Sequence, residues 1–258
     1  MAIIITGSEG FIGFHLKEKL KERGEEIIPW DIKLGTDIAH LFVPPDVTFV
    51  VHLAAIADVR RSIREPDPYW ENNVLGTKHV QDTCAKAKIG NAGADETVGV
   101  PLLYASSSCV HAWGKSPYGM SKKVNELTAH EGQVAMRFTT VYGDGARDTM
   151  FMGKLQYGEL EYVTEHVRDF IHVNDIVNGI ISLMDNFKHL NHPAYNMGTS
   201  HGNVVKDLAK LGGFEGEVRE GDACEALDNT ADITNMLEDT DWKPTINVQQ
   251  YIKNGFTL

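Results

Sequence analysis

The sequence predicts an α/β protein built on a doubly wound parallel sheet, with a small C-terminal lobe. Short apolar runs rich in β-branched residues alternate with amphipathic segments through the first half of the chain. Strands that alternate with helices form right-handed βαβ units and therefore a parallel sheet. We expect residues 1–140 to form the first domain, with 171–190 returning to it, and 141–170 with 191–258 to form the lobe.

The individual elements follow from hydrophobic periodicity. Residues 2–6 have the continuous apolar pattern of a strand buried on both faces. Ile12, Leu16 and Leu20 recur every four residues and predict an amphipathic helix that ends near Gly24. Further strands are predicted at 26–30, 47–53 and 101–106, and further helices at 72–88 and 118–131. The segments 143–149 and 212–228 are rich in glycine and charge, and we expect them to be loops of the lobe.

Composition and charge exclude several classes of protein. The 258 residues include 24 Lys and Arg against 36 Asp and Glu, and a net charge of −12 disfavours a general nucleic-acid binder, which needs a basic face. No apolar run approaches the roughly 18 residues of a membrane span, and no signal peptide is expected. Cys84, Cys109 and Cys224 are too widely spaced for a disulfide framework or a zinc site. We therefore expect a reduced, cytoplasmic protein that holds no metal.

A glycine motif, TGSEGFIG, separates the first strand from the first helix. Gly7 permits a tight turn, Gly10 lets the backbone approach a pyrophosphate, and Gly13 lets the helix pack on the sheet. The pyrophosphate would rest on the helix N-terminus. Asp31, which lies 18 residues beyond Gly13, can accept hydrogen bonds from both adenosine ribose hydroxyls and would repel a 2′-phosphate. The motif therefore predicts a Rossmann-type domain that binds NAD rather than NADP, although a solvated strand end is the alternative for Asp31.

A Ser, Tyr and Lys set carries the expected chemistry. Three serines, 106–108, lie at the C-terminal end of a predicted strand, where ligands bind in an open parallel sheet. Tyr118 follows Ser107 by 11 residues, and Lys122 follows by another four, so Tyr118 and Lys122 share one helix face. A nearby ammonium favours the phenolate form of a tyrosine. Tyr118 can then remove a sugar hydroxyl proton while Ser107 hydrogen-bonds the same oxygen.

A family resemblance is carried by a series of motifs that follow one another along the chain: TGSEGFIG (6–13), Asp31, HLAA (52–55), ASSS (105–108), YGMSK (118–122), MRFTTVYG (136–143) and RDFIHVNDI (168–176). This set resembles the extended short-chain dehydrogenase/reductases. More narrowly, the chain resembles the NAD-dependent nucleotide-sugar epimerase/dehydratase family, and within it the UDP-glucose and UDP-glucuronate 4-epimerases. The resemblance spans nearly the whole chain, because YNMGTS (195–200), ADI (231–233) and DWKP (241–244) match the family's C-terminal pattern.

The resemblance implies an NAD site and a small lobe that holds a nucleoside-diphosphate sugar. Tyr118 is the implied base, Ser107 its partner, and Lys122 a contact of the nicotinamide ribose. The implied cofactor-binding residues besides Tyr118 and Lys122 are Gly7, Gly10, Phe11, Ile12 and Gly13 at the pyrophosphate, Asp31 at the ribose, Asp37 and Ile38 at the adenine edge, and Leu53, Ala54 and Ala55 along the cleft.

For the substrate, the implied contacts are Ser108, Cys109, Thr140, Arg147, Arg168 and Arg219. An Arg guanidinium forks onto phosphate oxygens, which suits the diphosphate, while a surface ion pair is the alternative for each of the three. Thr140 stands where many members carry Asn, which resembles uronate-type 4-epimerases. A homodimer is also implied, and neither nucleic acid nor a membrane is expected as a partner.

The residues after Ser107 separate the reactions of the family. Its dehydratases place an Asp-Glu pair there and its decarboxylating members a Glu, whereas this chain has Ser108 and Cys109. A 4-epimerase needs only Tyr, Ser and retained NAD, so 4-epimerisation of a UDP-hexose or UDP-uronate is the predicted reaction. Cys109 leaves open a GDP-sugar 3,5-epimerase or reductase that uses this thiol as an acid/base. The loop from Ser107 to Tyr118 is short for the family, which leaves open a non-catalytic module that binds NAD or a nucleotide sugar.

Overall fold

The computed structural model describes residues 2–87 and 99–258. The strands are β1 (Ala2–Thr6), β2 (Glu26–Trp30), β3 (Val47–His52), β4 (Leu102–Ser107), β5 (Gln133–Phe138), β6 (Thr140–Tyr142), β7 (Tyr162–Thr164), β8 (Val167–His172), β9 (Ala194–Met197), β10 (Gly202–Val204) and β11 (Glu217–Arg219). The α-helices are α1 (Phe11–Glu22), α2 (Val59–Arg64), α3 (Thr77–Lys86), α4 (Pro117–Thr128), α5 (Phe151–Gln156), α6 (Val173–Asp185), α7 (Val205–Leu211), α8 (Thr234–Asp239) and α9 (Val248–Lys253). A π-helical segment spans Tyr69–Gly76, and 3-10 segments span Ile32–Leu34, Ile38–His40, Ser108–Lys115 and Phe187–His189.

The main sheet confirms the predicted parallel α/β architecture. Within the described residues it has the strand order β2-β1-β3-β4-β5-β9. β1 pairs in parallel with both β2 and β3, and β3 pairs in parallel with β4. The chain thus leaves β1 toward one side and crosses back to β3 on the other, which makes the carboxyl ends of β1 and β3 the topological switch point where open α/β sheets bind ligands.

The predicted elements differ from the structure mainly at their ends. The first two strands have the predicted bounds, and α4 begins and ends slightly earlier than predicted. The helix predicted from residue 72 starts earlier, as the π-helical segment that runs into α3, and its predicted end at Lys88 lies outside the described residues. One expected loop, 212–228, contains a strand, because Glu217–Arg219 pairs in parallel with β7.

By the contacts among its described residues, the chain divides into two compact units: Met1–Arg137 with Asn191–Tyr195, and Phe138–Leu190 with Asn196–Leu258. Residues 171–190, predicted to return to the first domain, group with the second unit in this division. Asp175 of α6 accepts hydrogen bonds from the backbone N–H groups of Thr245 and Ile246, which anchors α6 in the second unit. Residues 191–195, expected in the lobe, belong to the first unit, where Pro193 O accepts a hydrogen bond from the N–H of Ala135 on β5.

Each unit has its own hydrophobic core. In the first unit, Ile4, Val50 and Leu102 are fully buried on adjacent strands and pack with Val80 and Cys84 of α3. In the second unit, β10, β8 and β6 form a sheet. The main apolar residues of the core of this unit are Tyr142, Met152, Leu155, Phe170, Leu208, Tyr251 and Ile252. Burial of side chains of this size contributes roughly 1.5–3 kcal/mol each. Among residues 2–87 and 99–258, no helix is both long and apolar enough to cross a membrane.

Candidate active site

The turn between β1 and α1 needs glycine at two of its three motif positions for packing alone. Gly7 has a φ of +69°, and a Cβ there would lie 2.7 Å from the backbone nitrogen of Ala54. A Cβ at Gly13 would lie 2.0 Å from the carbonyl oxygen of Gly7. At Gly10 a Cβ would meet one described atom within 4 Å, Gly7 O at 3.1 Å, so the contact is tight but the turn is otherwise open on that side.

This open side of the turn fits a dinucleotide pyrophosphate. α1 begins at Phe11, directly after Gly10, and no side chain of the described residues caps its N-terminus. The first backbone N–H groups of α1 and the positive end of its dipole are therefore available to an anion at this end of the helix. NAD bound here would place its two phosphates against Gly10, Phe11 and Ile12.

The carboxylate of Asp31 lies against the same turn. Its Oδ2 accepts a hydrogen bond of 3.0 Å from the N–H of Glu9, and its Oδ1 accepts one of 2.9 Å from the N–H of Lys33. The side chain is nearly buried, with the residue 7% exposed. Each carboxylate oxygen has a second lone pair, so the group can still accept hydrogen bonds from both ribose hydroxyls. This geometry argues against the solvated strand end considered for Asp31.

The remaining predicted cofactor residues fall into two groups. Leu53 donates its N–H to Thr6 O at 3.0 Å, and Ala54 donates to Thr6 Oγ1 at 3.3 Å, so both lie beside the glycine turn, with half-buried Ala55 next in the chain. Asp37 is exposed and accepts a hydrogen bond from the N–H of Ala39, whereas the Ile38 side chain is buried in the core. Their contacts with NAD stay a prediction.

The structure brings the predicted Ser, Tyr and Lys positions into one neighbourhood of the first unit. Ser107 ends β4, and its Oγ accepts a hydrogen bond of 3.2 Å from the N–H of Cys109, which starts the 3-10 segment. Tyr118 lies in the first turn of α4. α4 packs closely on the segment that follows Ser107, since a Cβ at Gly119 would lie 3.2 Å from Cys109 O. Ser108 and Cys109 are both half-buried.

Lys122 is anchored on the strand that carries the serines. Its Nζ donates a hydrogen bond of 2.8 Å to the carbonyl oxygen of Ala105, two residues before Ser107. Burial lowers the pKa of Lys122 to about 8. The ammonium is therefore still protonated at neutral pH, one helical turn from Tyr118, where its charge favours a phenolate.

A buried histidine beside this site was not recognised from the sequence. His52, at the end of β3, lies between two hydroxyls: Nδ1 is 2.6 Å from Thr6 Oγ1, and Nε2 is 2.9 Å from Thr77 Oγ1. Burial, and then the charge of Lys122, lowers the pKa of His52 to about 3. The motif HLAA marked the position, but nothing in the sequence identified its partners.

Two residues of the π-helical segment also support the site. The ring of Tyr69 meets that of Tyr118 edge to face, with centroids 6.2 Å apart, and its hydroxyl donates to Asp58 O at 2.7 Å. Asn73 donates to Ile56 O and accepts from Ile56 N–H, both at 2.9 Å. The hydrogen bonds fix the segment at Ile56 and Asp58, which follows Leu53 in the chain, and the ring contact packs Tyr69 against Tyr118.

The second unit contains the other predicted substrate residues, and two of its arginines already bind carboxylates. Arg168 Nη2 donates to Glu225 at 2.8 Å, while Nη1 donates to the carbonyls of Val167 and Ala226. Arg219 pairs with Glu217 and stacks on the Tyr162 ring, 4.4 Å from its centroid. Arg147 is exposed between β6 and α5, and Thr140 Oγ1 accepts a hydrogen bond from Asn229. The roles predicted for these residues in substrate binding stay predictions.

The parallel sheet, the open glycine turn and the Ser-Tyr-Lys arrangement together define a dinucleotide-dependent enzyme. A family model described as "NAD dependent epimerase/dehydratase family" matches residues 3–198. The chain therefore belongs to the NAD-dependent epimerase/dehydratase family, which confirms the resemblance seen in its motifs and the choice of NAD as cofactor.

Similar proteins were found both by sequence and among solved structures. Protein CapI of Staphylococcus aureus is 30% identical over an alignment that covers 71% of this chain and 69% of CapI. A UDP-glucose 4-epimerase of Erwinia amylovora is 23% identical, with 81% of each chain covered. The crystal structure of a UDP-glucuronic acid 4-epimerase from Bacillus cereus, in complex with UDP-glucuronic acid and NAD, is 23% identical, with a TM-score of 0.79 and coverage of 99% of this chain and 98% of that one. At this identity, the structural likeness shows the fold.

Proposed function

We propose that the protein is an NAD-dependent epimerase that inverts C4 of a UDP-hexose or UDP-uronate. The observation that carries the proposal is the placement of Lys122. Its buried Nζ donates a hydrogen bond to Ala105 O on β4, the strand that ends in Ser107, and Lys122 lies one turn of α4 from Tyr118. The names of the similar 4-epimerases support UDP-glucose and UDP-glucuronate as the first substrates to test.

The chain's own residues account for the proton movements of such a reaction. The Tyr118 phenolate takes the proton of the sugar O4 hydroxyl, while the Ser107 hydroxyl donates a hydrogen bond to that oxygen. NAD held at Gly10, Phe11 and Ile12 would supply the chemistry at C4, as acceptor of a hydride and then as its donor to the other face of the sugar. Tyr118 then gives the proton back to O4, so no cofactor is consumed overall.

The residues after Ser107 favour epimerisation over dehydration. An enzyme that expels water needs an acid beside the reacting carbon. This chain has Ser108 and Cys109 at the positions that follow Ser107, and neither is a carboxylic acid. The proposed binding roles of Thr140, Arg147, Arg168 and Arg219 complete the assignment, with the arginines holding the diphosphate.

Proton NMR of the anomeric region tests the proposal. NAD-loaded protein is mixed in turn with UDP-glucose, UDP-glucuronate, UDP-N-acetylglucosamine and GDP-mannose, with Tyr118→Phe and Cys109→Ser variants as controls. We expect galacto-type signals from one UDP-sugar that vanish with Tyr118→Phe and persist with Cys109→Ser. A product from GDP-mannose alone that requires Cys109 would replace the proposal with the GDP-sugar reaction, and unchanged spectra throughout would favour a binding module.

We further propose that the protein acts as a cytoplasmic homodimer. Leu75 on the π-helical segment and Leu127 on α4 are 67% and 72% exposed, and an interface that covered both side chains would remove this apolar surface from water. Light scattering should give twice the 28.6 kDa chain mass, and Leu75→Glu with Leu127→Glu should return the monomer. A wild-type mass of one chain would contradict the dimer, and recovery in a membrane or secreted fraction would contradict the location.

A further inference from the structure

Arg168, one of the arginines proposed to hold the substrate diphosphate, is already engaged by its own chain. Its Nη2 donates a hydrogen bond of 2.8 Å to Oε2 of Glu225, and its Nη1 donates to Val167 O at 2.9 Å and to Ala226 O at 2.8 Å. The two charged side chains are 13% and 19% exposed, for Arg168 and Glu225 in that order. Little of the guanidinium is therefore left for a second anion while Glu225 is in place.

Another arginine of the second unit is paired in a different way. Arg219 and Glu217 form an ion pair in which 49% and 59% of the two side chains are exposed. Solvent and salt screen a pair of this kind, so it contributes little and gives way readily to another anion. The pair of Arg168 and Glu225 is shielded, and each of its charges needs the other close by. An anion therefore reaches Arg168 only by replacing the carboxylate of Glu225.

Glu225 belongs to a segment, residues 222–227, that forms turns and bends but no helix or strand. At its end, Leu227 O accepts a hydrogen bond of 2.8 Å from a backbone N–H of β8. Just before it, Gly221 packs on the buried ring of His166, since a Cβ at Gly221 would lie 1.8 Å from Cε1 of that ring. The Nδ1 of the same ring is 3.8 Å from Glu225 Oε2. Both ends of the segment are thus fixed, while no regular structure holds its middle.

We propose that Glu225 is an internal competitor, which occupies the anion site of Arg168 until a phosphate of the substrate displaces its carboxylate. A carboxylate and a phosphate are alternatives at this position, because both accept hydrogen bonds from a guanidinium. A diphosphate carries more charge and more acceptor oxygens than one carboxylate, which favours the exchange. Binding of the diphosphate is then coupled to movement of the 222–227 segment. The inference rests on the proposed diphosphate role of Arg168 and goes beyond it in how access to that site is regulated.

Calorimetric titration of UDP into NAD-loaded protein tests the competition. Glu225→Gln removes the charge, keeps the size of the side chain, and is expected to lower the Kd for UDP about tenfold, the order of effect of one charge-assisted hydrogen bond that no longer has to be broken. Adding Arg168→Gln should remove this gain, because Glu225 competes only for that guanidinium. Glu217→Gln makes the same charge change at the exposed partner of Arg219 and should alter the Kd by no more than about threefold.

The thiol of Cys224 reports displacement of the neighbouring Glu225 without any substitution. Cys224 is half-buried, so its alkylation by iodoacetamide should be accelerated severalfold when saturating UDP moves the 222–227 segment. Uridine, which has no phosphate, should leave the rate unchanged. Mass spectrometry of the Cys224 peptide gives the rate, and the buried Cys84 of the first unit controls for general opening of the protein.

Two results would overturn the proposal and leave the 4-epimerase assignment untouched. One is a folded Glu225→Gln variant whose Kd for UDP is equal to or higher than that of the wild type. The other is alkylation of Cys224 that UDP does not accelerate, which requires no variant to fold. Failure of both the wild type and Glu225→Gln to bind UDP would contradict the proposed UDP-sugar substrate, and this inference with it.

Discussion

The hydroxyl of Ser106 donates a hydrogen bond of 2.7 Å to Oε1 of Glu126 on α4. Glu126 is held in turn by Arg137, whose Nε and Nη2 donate to its two carboxylate oxygens at 2.8 and 2.7 Å. Since successive side chains of a strand point to opposite faces, Ser107 is directed away from this ion pair. Two adjacent serines on β4 therefore have separate tasks, one in holding α4 and the other available to a ligand.

Alanine at each of these serines should separate the two tasks. Ser107→Ala is expected to lower kcat by about 10²-fold or more, the usual effect of losing a hydrogen bond to the reacting oxygen, with little change in stability. Ser106→Ala should leave kcat near the wild-type value and lower the free energy of unfolding by about 1 kcal/mol. Steady-state rates and urea unfolding of both variants provide the measurement. Equal loss of activity in the two would contradict the assignment of Ser107.

Lys122 is expected to contribute to activity at the expense of stability. Burial lowers its pKa from 10.5 to about 8, so between these pH values the unfolded chain binds the proton and the folded protein does not. The contribution of Lys122 to the free energy of unfolding therefore rises as the pH increases from about 8 to 10.5. At pH 7, where Lys122 is charged and buried, this residue lowers the free energy of unfolding by up to about 3 kcal/mol.

Lys122→Met should accordingly abolish turnover without lowering the free energy of unfolding at pH 7. Urea unfolding at pH 7 and pH 9.5 checks this, because the wild type should gain stability over that interval relative to the Met variant. A Met variant that is several kcal/mol less stable than the wild type at pH 7 would show that the hydrogen bond to Ala105 outweighs the burial of the charge.

His52 should make the protein sensitive to mild acid. Its pKa falls from 6.5 to about 3 on folding, so below pH 6.5 the unfolded chain takes up a proton that the folded protein refuses. Stability is therefore expected to drop by about 2 kcal/mol between pH 6.5 and pH 5 from this group alone. Urea unfolding over this range should show a shallower slope for His52→Gln, which cannot titrate. Parallel curves for the two proteins would refute this source of acid sensitivity.

Replacement of Gly10 or Gly7 of the turn by alanine is expected to affect stability and NAD binding differently. Gly10 has ordinary extended backbone, so Gly10→Ala should cost only about 1 kcal/mol of stability, from the 3.1 Å contact with Gly7 O. It should weaken NAD binding tenfold or more, because the methyl group enters the space of the pyrophosphate. Gly7→Ala should be destabilised by roughly 3 kcal/mol or more, since strain at positive φ adds to the clash with Ala54.

Gly24 provides the matched control for backbone strain. It has a φ of +80° with no described atom within 4 Å of a Cβ, so Gly24→Ala reports strain without a clash and should be destabilised by about 1–2 kcal/mol. Thermal unfolding with calorimetric NAD binding distinguishes the three variants. Normal NAD affinity in a folded Gly10→Ala protein would place the pyrophosphate elsewhere.

The parts of the fold that could be predicted are those set by local sequence. The apolar run of β1 and the four-residue spacing in α1 are patterns of neighbouring residues, and both elements were found where they were predicted. β11 was missed because its three residues, Glu217–Arg219, are exposed and show no apolar alternation; they form a strand through pairing with β7. The contacts that hold α6 also lie beyond local sequence patterns, since they join Asp175 to a residue 70 positions away.

The candidate site shows the same limit. The spacing of Tyr118 and Lys122 predicts that they share a helix face, and the structure places both on α4. The partner of Lys122 is a backbone carbonyl, which any residue at position 105 supplies, so the sequence carries no signal for it. His52 was visible only as part of a motif, because its two threonine partners come from distant segments.

The packing of the glycine turn also indicates which of its glycines should be retained in related proteins that no longer bind a dinucleotide. Gly7 and Gly13 are required by several close contacts that the polypeptide makes with itself, whereas a Cβ at Gly10 would meet only Gly7 O, at 3.1 Å. A descendant that had stopped using a dinucleotide would still be under pressure to retain the outer two glycines and would be free to vary the middle one. In degenerate copies of this domain, the middle glycine is thus the position to inspect for lost cofactor dependence, and the outer pair records only descent from the same architecture.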